Sequence, residues 1–238
     1  MNSKLAVRTV IPLLLVLLLG SAFWSLWAGY APDETLNRSA SYYAENTASE
    51  TGAQNVVAAI IVTYRGLDTL GEVTVLFLTA AIVALVLGQS KAPKGASGSG
   101  FLPSGELLST GTKMLVPLIM LFGAYVFVNG HLTPGGGFQG GAIIASGMLL
   151  LLLANPARRF GHKLINRVES LSGVTYVLIG ILGIAFAGGF LDNRILGLGE
   201  FGSIFSAGAI PLIYALIGLK VGAEFSSMLE SLEETEDA

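Results

Sequence analysis

The chain contains no cysteine. Disulfide bonds and cysteine-ligated iron–sulfur clusters are therefore excluded within it, and nothing follows about compartment. It has two histidines, His131 and His162, far apart in sequence. A histidine-based metal site needs more than that, so no metal and no cofactor are expected. Charge is scarce as well. Asp, Glu, Lys and Arg make up 12% of the 238 residues, against about 25% in an ordinary soluble domain. The basic residues sit at the flanks of apolar runs, where topology alone explains them, so nucleic acid is not an expected partner. Also missing are a nucleophile paired with a base, an HExxH string, and a phosphate-binding glycine loop at a strand–helix junction. Catalysis by this chain alone is not expected.

What is present is apolar and rich in glycine: 53% hydrophobic residues and 31 glycines, with a net charge of −3. Runs of about 18–20 apolar residues span a bilayer. Six stretches approach or exceed that length: 5–28, 73–87, 112–128, 137–154, 171–190 and 202–222. The expected fold is an all-α polytopic membrane protein with about six transmembrane helices, seated in the lipid bilayer of the cell membrane. The first run is too long for a signal-peptide core and is followed by Trp24, Trp27 and Tyr30, an interfacial aromatic belt. It reads as a retained helix. Residues 31–52 are polar and acidic and read as an aqueous loop. The apolar stretch 55–64 is too short to span and reads as a helix in, or dipping into, the interface. Pro211 falls inside the sixth run, where it would leave the Ala207 carbonyl without its helical partner and kink the helix. The acidic tail carries Glu230, Glu233, Glu234, Glu236 and Asp237 and reads as a solvated or partly helical end.

Six spans place both termini on one side. If that side is cytoplasmic, it holds Lys4, Arg8, Lys91, Lys94, Lys113, Arg158, Arg159, Lys163, Arg167 and Lys220. Arg38, Arg65 and Arg194 lie opposite. Ten cations against three fits the positive-inside rule, so both termini are expected in the cytoplasm. Gly136/Gly140, Gly137/Gly141 and Gly218/Gly222 have the spacing that lets helices approach closely, which points to packing against other helices.

The most unusual stretch is Asn129-Gly-His-Leu-Thr-Pro-Gly-Gly-Gly-Phe-Gln-Gly-Gly141, set between two apolar runs. It reads as a tight turn that starts the next helix, with Thr133 as N-cap and Pro134 in the first turn. Gly135, Gly136, Gly137, Gly140 and Gly141 allow close backbone approach. Phe138 reads as a packing anchor, and Gln139 as a hydrogen-bonding residue one turn inside. This string resembles the signature of the B-type (MnhB/MrpB-like) component of the Mrp/Mnh multisubunit sodium/proton antiporters. The same module occurs in the related membrane-bound hydrogenases and sulfur reductases. A second string, Arg65-Gly-Leu-Asp-Thr-Leu-Gly-Glu72, resembles the E-type (MbhE-like) component of membrane-bound hydrogenases and the C-terminal part of the large A-type antiporter component. The chain thus divides into an E-type segment (1–89), a Gly/Ser/Pro/Lys linker (90–105), a B-type four-helix domain (106–224) and the acidic tail (225–238).

The resemblance implies a non-catalytic membrane subunit of a cation/proton antiporter, with other membrane subunits as partners and Na+ and H+ as the transported ions. A second possibility is the same module inside a hydrogenase or sulfur reductase complex. A third is a purely structural spacer. Arg65, Asp68 and Glu72 fall on one helical face. Glu72, at the head of an uncharged run, is the strongest ion-pathway candidate, while Arg65 and Asp68 lean towards a structural turn. His131 titrates near neutral pH, so a proton relay is open to it; a loop histidine satisfied by backbone groups is the alternative. Glu224 and Lys113 read as residues near cytoplasmic helix ends, reaching for water.

Overall fold

The computed structural model describes residues 3–31, 35–89, 105–155 and 161–236. Among them there is no strand, and six helices are long and apolar enough to cross a membrane. The helices are α1 (Ser3–Ala28), α2 (Arg38–Thr51), α3 (Val56–Ala59), α4 (Gly66–Gln89), α5 (Glu106–Val128), α6 (Gly137–Ala154), α7 (His162–Phe186) and α8 (Ile210–Glu236). A π-helical turn, Ile60–Tyr64, joins α3 to α4, and a 3₁₀ turn, Asn193–Ile195, lies between α7 and α8. The expected linker lies outside the described residues except for Gly105, which precedes α5. Arg158 and Arg159 also lie outside them.

Two compact units divide the chain, Met1–Ser41 and Tyr42–Ala238. The first contains α1, whose apolar stretch Val10–Ala28 is exposed along its length, Trp24 and Trp27 included. In the second unit α8 is the central helix. It packs against α4, α5, α6 and α7, and 56% of its apolar span is buried, against 6% for α4. Ile210, Ile213, Tyr214, Ile217 and Val221 mark its buried side.

Glycine permits the tightest of these contacts. A Cβ at Gly140 would lie 2.6 Å from the Gly123 carbonyl oxygen on α5, and one at Gly141 would lie 2.7 Å from the Gly218 carbonyl oxygen on α8. The two neighbouring glycines thus serve opposite sides of α6. The small-residue spacings are used within the chain, joining α5, α6 and α8 of one molecule.

Several boundaries differ from those expected. Residues 38–51 form α2 where a loop was expected. Asn37 caps it, its Oδ1 accepting from the Ala40 N–H. The short stretch 55–64 is helical, with Val57 and Ile61 on an exposed face. Ala58, Ala59 and Val62 are fully buried in the main core. The fourth span has the expected bounds. The second, third and fifth helices start six or seven residues or more before the apolar run, because a helix continues through polar residues that a hydropathy window leaves out.

The sixth span shows the largest correction. Residues 197–209, rich in glycine, form an irregular loop, and α8 starts only at Ile210. Pro211 therefore stands in the first turn, where its missing N–H is no loss. The Ala207 carbonyl accepts from the Ile210 N–H (3.1 Å) and from Asn193 Nδ2 (3.0 Å), so the expected kink has no cause. At its other end α8 runs on to Glu236, making residues 225–236 of the acidic tail helical.

Candidate functional site

The glycine-rich turn and the segment before α4 meet at one end of the second unit. Asn55 is the link. Its N–H donates to the His131 carbonyl (3.0 Å), and its Nδ2 donates to the Gly130 (2.8 Å) and Thr133 (3.1 Å) carbonyls. Its Oδ1 caps α3 by accepting from the Val57 and Ala58 N–H groups. The loop between α7 and α8 closes over the same end. Asn193 donates through Nδ2 to the Thr51 (2.7 Å) and Ala207 carbonyls.

His131 lies beneath that loop, fully buried. Its Nε2 is 3.3 Å from the Ser203 carbonyl oxygen. A carbonyl only accepts, so Nε2 carries the hydrogen. Burial pushes this imidazole below the ordinary histidine value, against the opposing pull of nearby backbone carbonyls. Backbone thus holds Nε2, while Nδ1 is buried without a hydrogen-bond partner among the described residues, so backbone groups satisfy only half of this ring. Thr133 does not cap α6. Its hydroxyl donates to the Asn129 carbonyl (3.3 Å), and the cap position is Gly136, with φ of 156°. Pro134 stands three residues before the helix and is exposed, as is Gln139. Gly135 is half-buried against Val126, Gly137 is buried against Ile217, and Phe138 packs on the core.

Arg65, Asp68 and Glu72 are all exposed. Arg65 and Asp68 form an ion pair with side chains 62% and 53% exposed, a class of pair worth about 0–1 kcal/mol. Despite Gly66 and Gly71, α4 runs unbroken from Gly66, so Asp68 and Glu72 share one outer face of it with Arg65 just before. At Gly66 a Cβ would come within 2.7 Å of the Leu191 side chain, which would have to shift.

A polar pocket of about 350 Å³ opens at this end, lined by Tyr42, Glu50, Tyr64, Asp192 and Arg194 among others. Glu50 accepts from the hydroxyls of Tyr42 and Tyr64, both at 2.6 Å. Those two donors hold its carboxylate below the ordinary value, while burial and Glu50 together push Tyr64 up. Asp192 clamps the Arg194 guanidinium at 2.5–3.1 Å and is held low by it.

The second charged cluster lies inside the bundle and was missed in the sequence. Lys220 follows Ile210 by ten residues along α8, about 15 Å at 1.5 Å per residue. That is near the middle of the 23-residue span, not at a cytoplasmic helix end. Lys220 Nζ is 2.7 Å from Glu224 Oε1 and 3.8 Å from Glu169 Oε1 on α7. The Phe77 ring of α4 lies 5.0 Å from the ammonium. Glu224 is fully buried and does not reach for water. A groove of about 350 Å³ between α4, α7 and α8 reaches Glu169 and Lys220 past Leu70, Val73 and Phe77. Glu230, six residues further along α8, is also fully buried. The available signal was a lysine inside the end of an apolar run and a glutamate four residues on. Ending that run at 222 concealed it.

Residues 107–227 match the family model described as a domain related to the MnhB subunit of Na+/H+ antiporter. The chain belongs to this MnhB-type family. It is therefore a multi-pass membrane protein of the cell membrane, sharing the fold of the B-type component of Mrp/Mnh complexes. Residues 8–96 match a second model, MbhE, which describes the E-type component of MBH. An uncharacterized protein of Methanocaldococcus jannaschii is 33% identical over 195 residues, 73% of this chain and 74% of its own. Two solved structures have folds similar to this chain's. One is a chain of the membrane-bound sulfane sulfur reductase, an archaeal respiratory membrane complex. It has a TM-score of 0.81 and 39% identity over 95% of this chain and 98% of that chain. The other is a chain of the Mrp complex from Dietzia sp. DQ12-45-1b, with a TM-score of 0.76 and 25% identity over 98% of this chain but only 26% of that longer one.

Proposed function

We propose that this chain is a non-catalytic membrane subunit of a multisubunit monovalent-cation/proton antiporter module, contributing to ion translocation and to assembly with other membrane subunits. Na+ and H+ are the ions exchanged. The observation that carries the reading is the buried Lys220–Glu224 pair halfway along α8, inside the MnhB-type region. Charge at that depth is costly in a bilayer and is retained where ions or protons pass. The exposed row of Arg65, Asp68 and Glu72 suits a surface covered by a neighbouring subunit.

Within this reading, a respiratory host is favoured over a free-standing antiporter. The sulfane sulfur reductase chain matches this one almost end to end, whereas the Mrp match is a quarter of a longer chain. Purifying the native complex tests the host: iron in the preparation and ion movement driven by an electron donor are expected. A preparation free of redox metal that still exchanges Na+ for H+ selects the free-standing antiporter. Ion exchange by this chain alone in liposomes sinks the subunit reading. Glu72→Gln keeps size and hydrogen-bonding capacity and is expected to assemble normally while lowering ion-coupled activity. Wild-type activity across pH would leave the Arg65–Glu72 row a surface feature.

A further inference from the structure

We propose that Glu169, Lys220 and Glu224 form a proton site within the membrane, where one proton is shared between two carboxylates across a lysine. The proposal rests on the antiporter-module reading and assigns that module a specific proton-carrying group in this chain. Three observations support it.

The first is stoichiometric. One ammonium faces two carboxylates, at 2.7 Å and 3.8 Å. With all three ionised the cluster carries one uncompensated negative charge at membrane depth. A single added proton neutralises it. The second is an unmet hydrogen-bonding group. Glu224 is fully buried, and its Oε2 has no hydrogen-bond partner among the described residues. A buried acceptor without a partner is costly, and protonating the carboxyl changes what it needs. The third is access. The groove lined by Leu70, Val73, Phe77, Glu169 and Tyr176 reaches Glu169 and Lys220 but not Glu224. Glu169 is 17% exposed and Glu224 is 0% exposed. The cluster thus has an outer carboxylate and an inner one, with the lysine between.

The transfer balances. Initially Glu169 holds the proton and Lys220 pairs with ionised Glu224. Lys220 gives one N–H proton to Glu224, forming a carboxyl O–H. The Glu169 O–H breaks and its proton restores the ammonium. Glu224 is then neutral, Glu169 is ionised, and Lys220 pairs with Glu169. Net charge within the cluster is zero before and after.

Other ionisable groups near the cluster are few. On α7 the groove adds Tyr176, and on α8 Glu230 lies further along. The groove-lining residues of α4 are not ionisable, though Glu72 of α4 lies close enough to act on Tyr176, and α6 has no ionisable residue. On α5, Glu106, Lys113 and Tyr125 are exposed on the outside of the helix. The space between the two carboxylates is filled by an ammonium, and no cluster of metal-ligating residues occurs among the described residues. This favours a proton over a metal cation.

The test uses the purified intact complex and infrared difference spectra between acid and alkaline pH. The wild type is expected to show a protonated-carboxyl band that is lost in Glu224→Gln and in Glu169→Gln and retained, shifted in its pH midpoint, in Lys220→Arg. If Glu224→Gln does not assemble, Glu169→Gln, on the groove side, provides the same reading. A band unchanged in both glutamine variants overturns the proposal, as does wild-type proton-coupled transport in both. The band and ion exchange are read separately. A band that depends on these residues in a complex without Na+/H+ exchange leaves the proton site standing and defeats the antiporter reading. Exchange with an unchanged band does the reverse.

Discussion

At the residue scale, the energetics of Lys220 and Glu224 are asymmetric. Removing one partner of a buried pair costs about 3–5 kcal/mol, because the other charge is left uncompensated, while replacing both is often near neutral. Lys220→Met is therefore expected to lower the thermal stability of the solubilised complex sharply. Lys220→Met combined with Glu224→Gln should recover most of the loss. If the double variant is no more stable than the lysine variant, the two side chains are not coupled. His131 gives a pH prediction. Its folded value lies below the ordinary histidine value of about 6.5. The folded state thus binds fewer protons than the unfolded one over that range. Stability contributed by the neutral imidazole is present above about 6.5 and is lost as pH falls towards the folded value. Protection of residues 197–209 against hydrogen exchange, relative to the intrinsic rate at each pH, should fall on acidification through that window. His131→Phe should flatten the dependence, and an equal acid response in that variant would show that other groups cause it.

At the element scale, the contact between α6 and α8 depends on missing side chains. A leucine at Gly141 would have to displace the α8 backbone, since its Cβ alone would lie 2.7 Å from the Gly218 carbonyl oxygen. Gly141→Leu is expected to prevent this chain from folding, and the protein should be degraded before it can meet its partners. Gly111, in α5, has nothing within 4 Å of where a Cβ would stand. Gly111→Ala should raise stability by about 0.5–1 kcal/mol through helix propensity alone, seen as a higher melting temperature. Equal effects of the two substitutions would mean that the glycines serve a common, non-steric role. Gly136 is a poorer test of packing than its neighbours, because a Cβ there first meets the chain's own Gln139 side chain, at 2.7 Å.

At the scale of the whole molecule, the charge count predicts that both termini are cytoplasmic, and the lack of cysteine makes this straightforward to test. Lys220 leaves the cytoplasmic tally because it is at mid-span, but the excess of cations on that side persists. Ser49 on α2 and Glu200 in the loop before α8 are exposed, at the end where Asn193 ties that loop to Thr51. Cysteines at these two positions should react with an impermeant thiol reagent in intact cells, and one at Ser97 should be protected. Labelling at Ser97 with protection at the other two would invert the topology.

Hydropathy along the sequence determined the number of spans, the all-helical class and the membrane setting, because the bilayer imposes a length and a polarity on anything that crosses it. The bounds of α6 were also legible, since Gly136 and Asn155-Pro156 punctuate the run. The two strings 129–141 and 65–72 indicated the family, since they are long and odd in composition. Tertiary structure alone decided three things. It placed His131 under the 197–209 loop, a contact across 72 residues of sequence. It assigned the glycines of α6 to α5 on one side and α8 on the other. It also moved Lys220 and Glu224 from a supposed helix end to the interior beside Glu169. A hydropathy window cannot tell an apolar loop from the first turns of a helix, and Ile204, Phe205, Ala207 and Ala209 made residues 202–209 look like span. Starting the last helix eight residues later carries every later residue deeper, and depth is what makes a charge in a membrane protein costly.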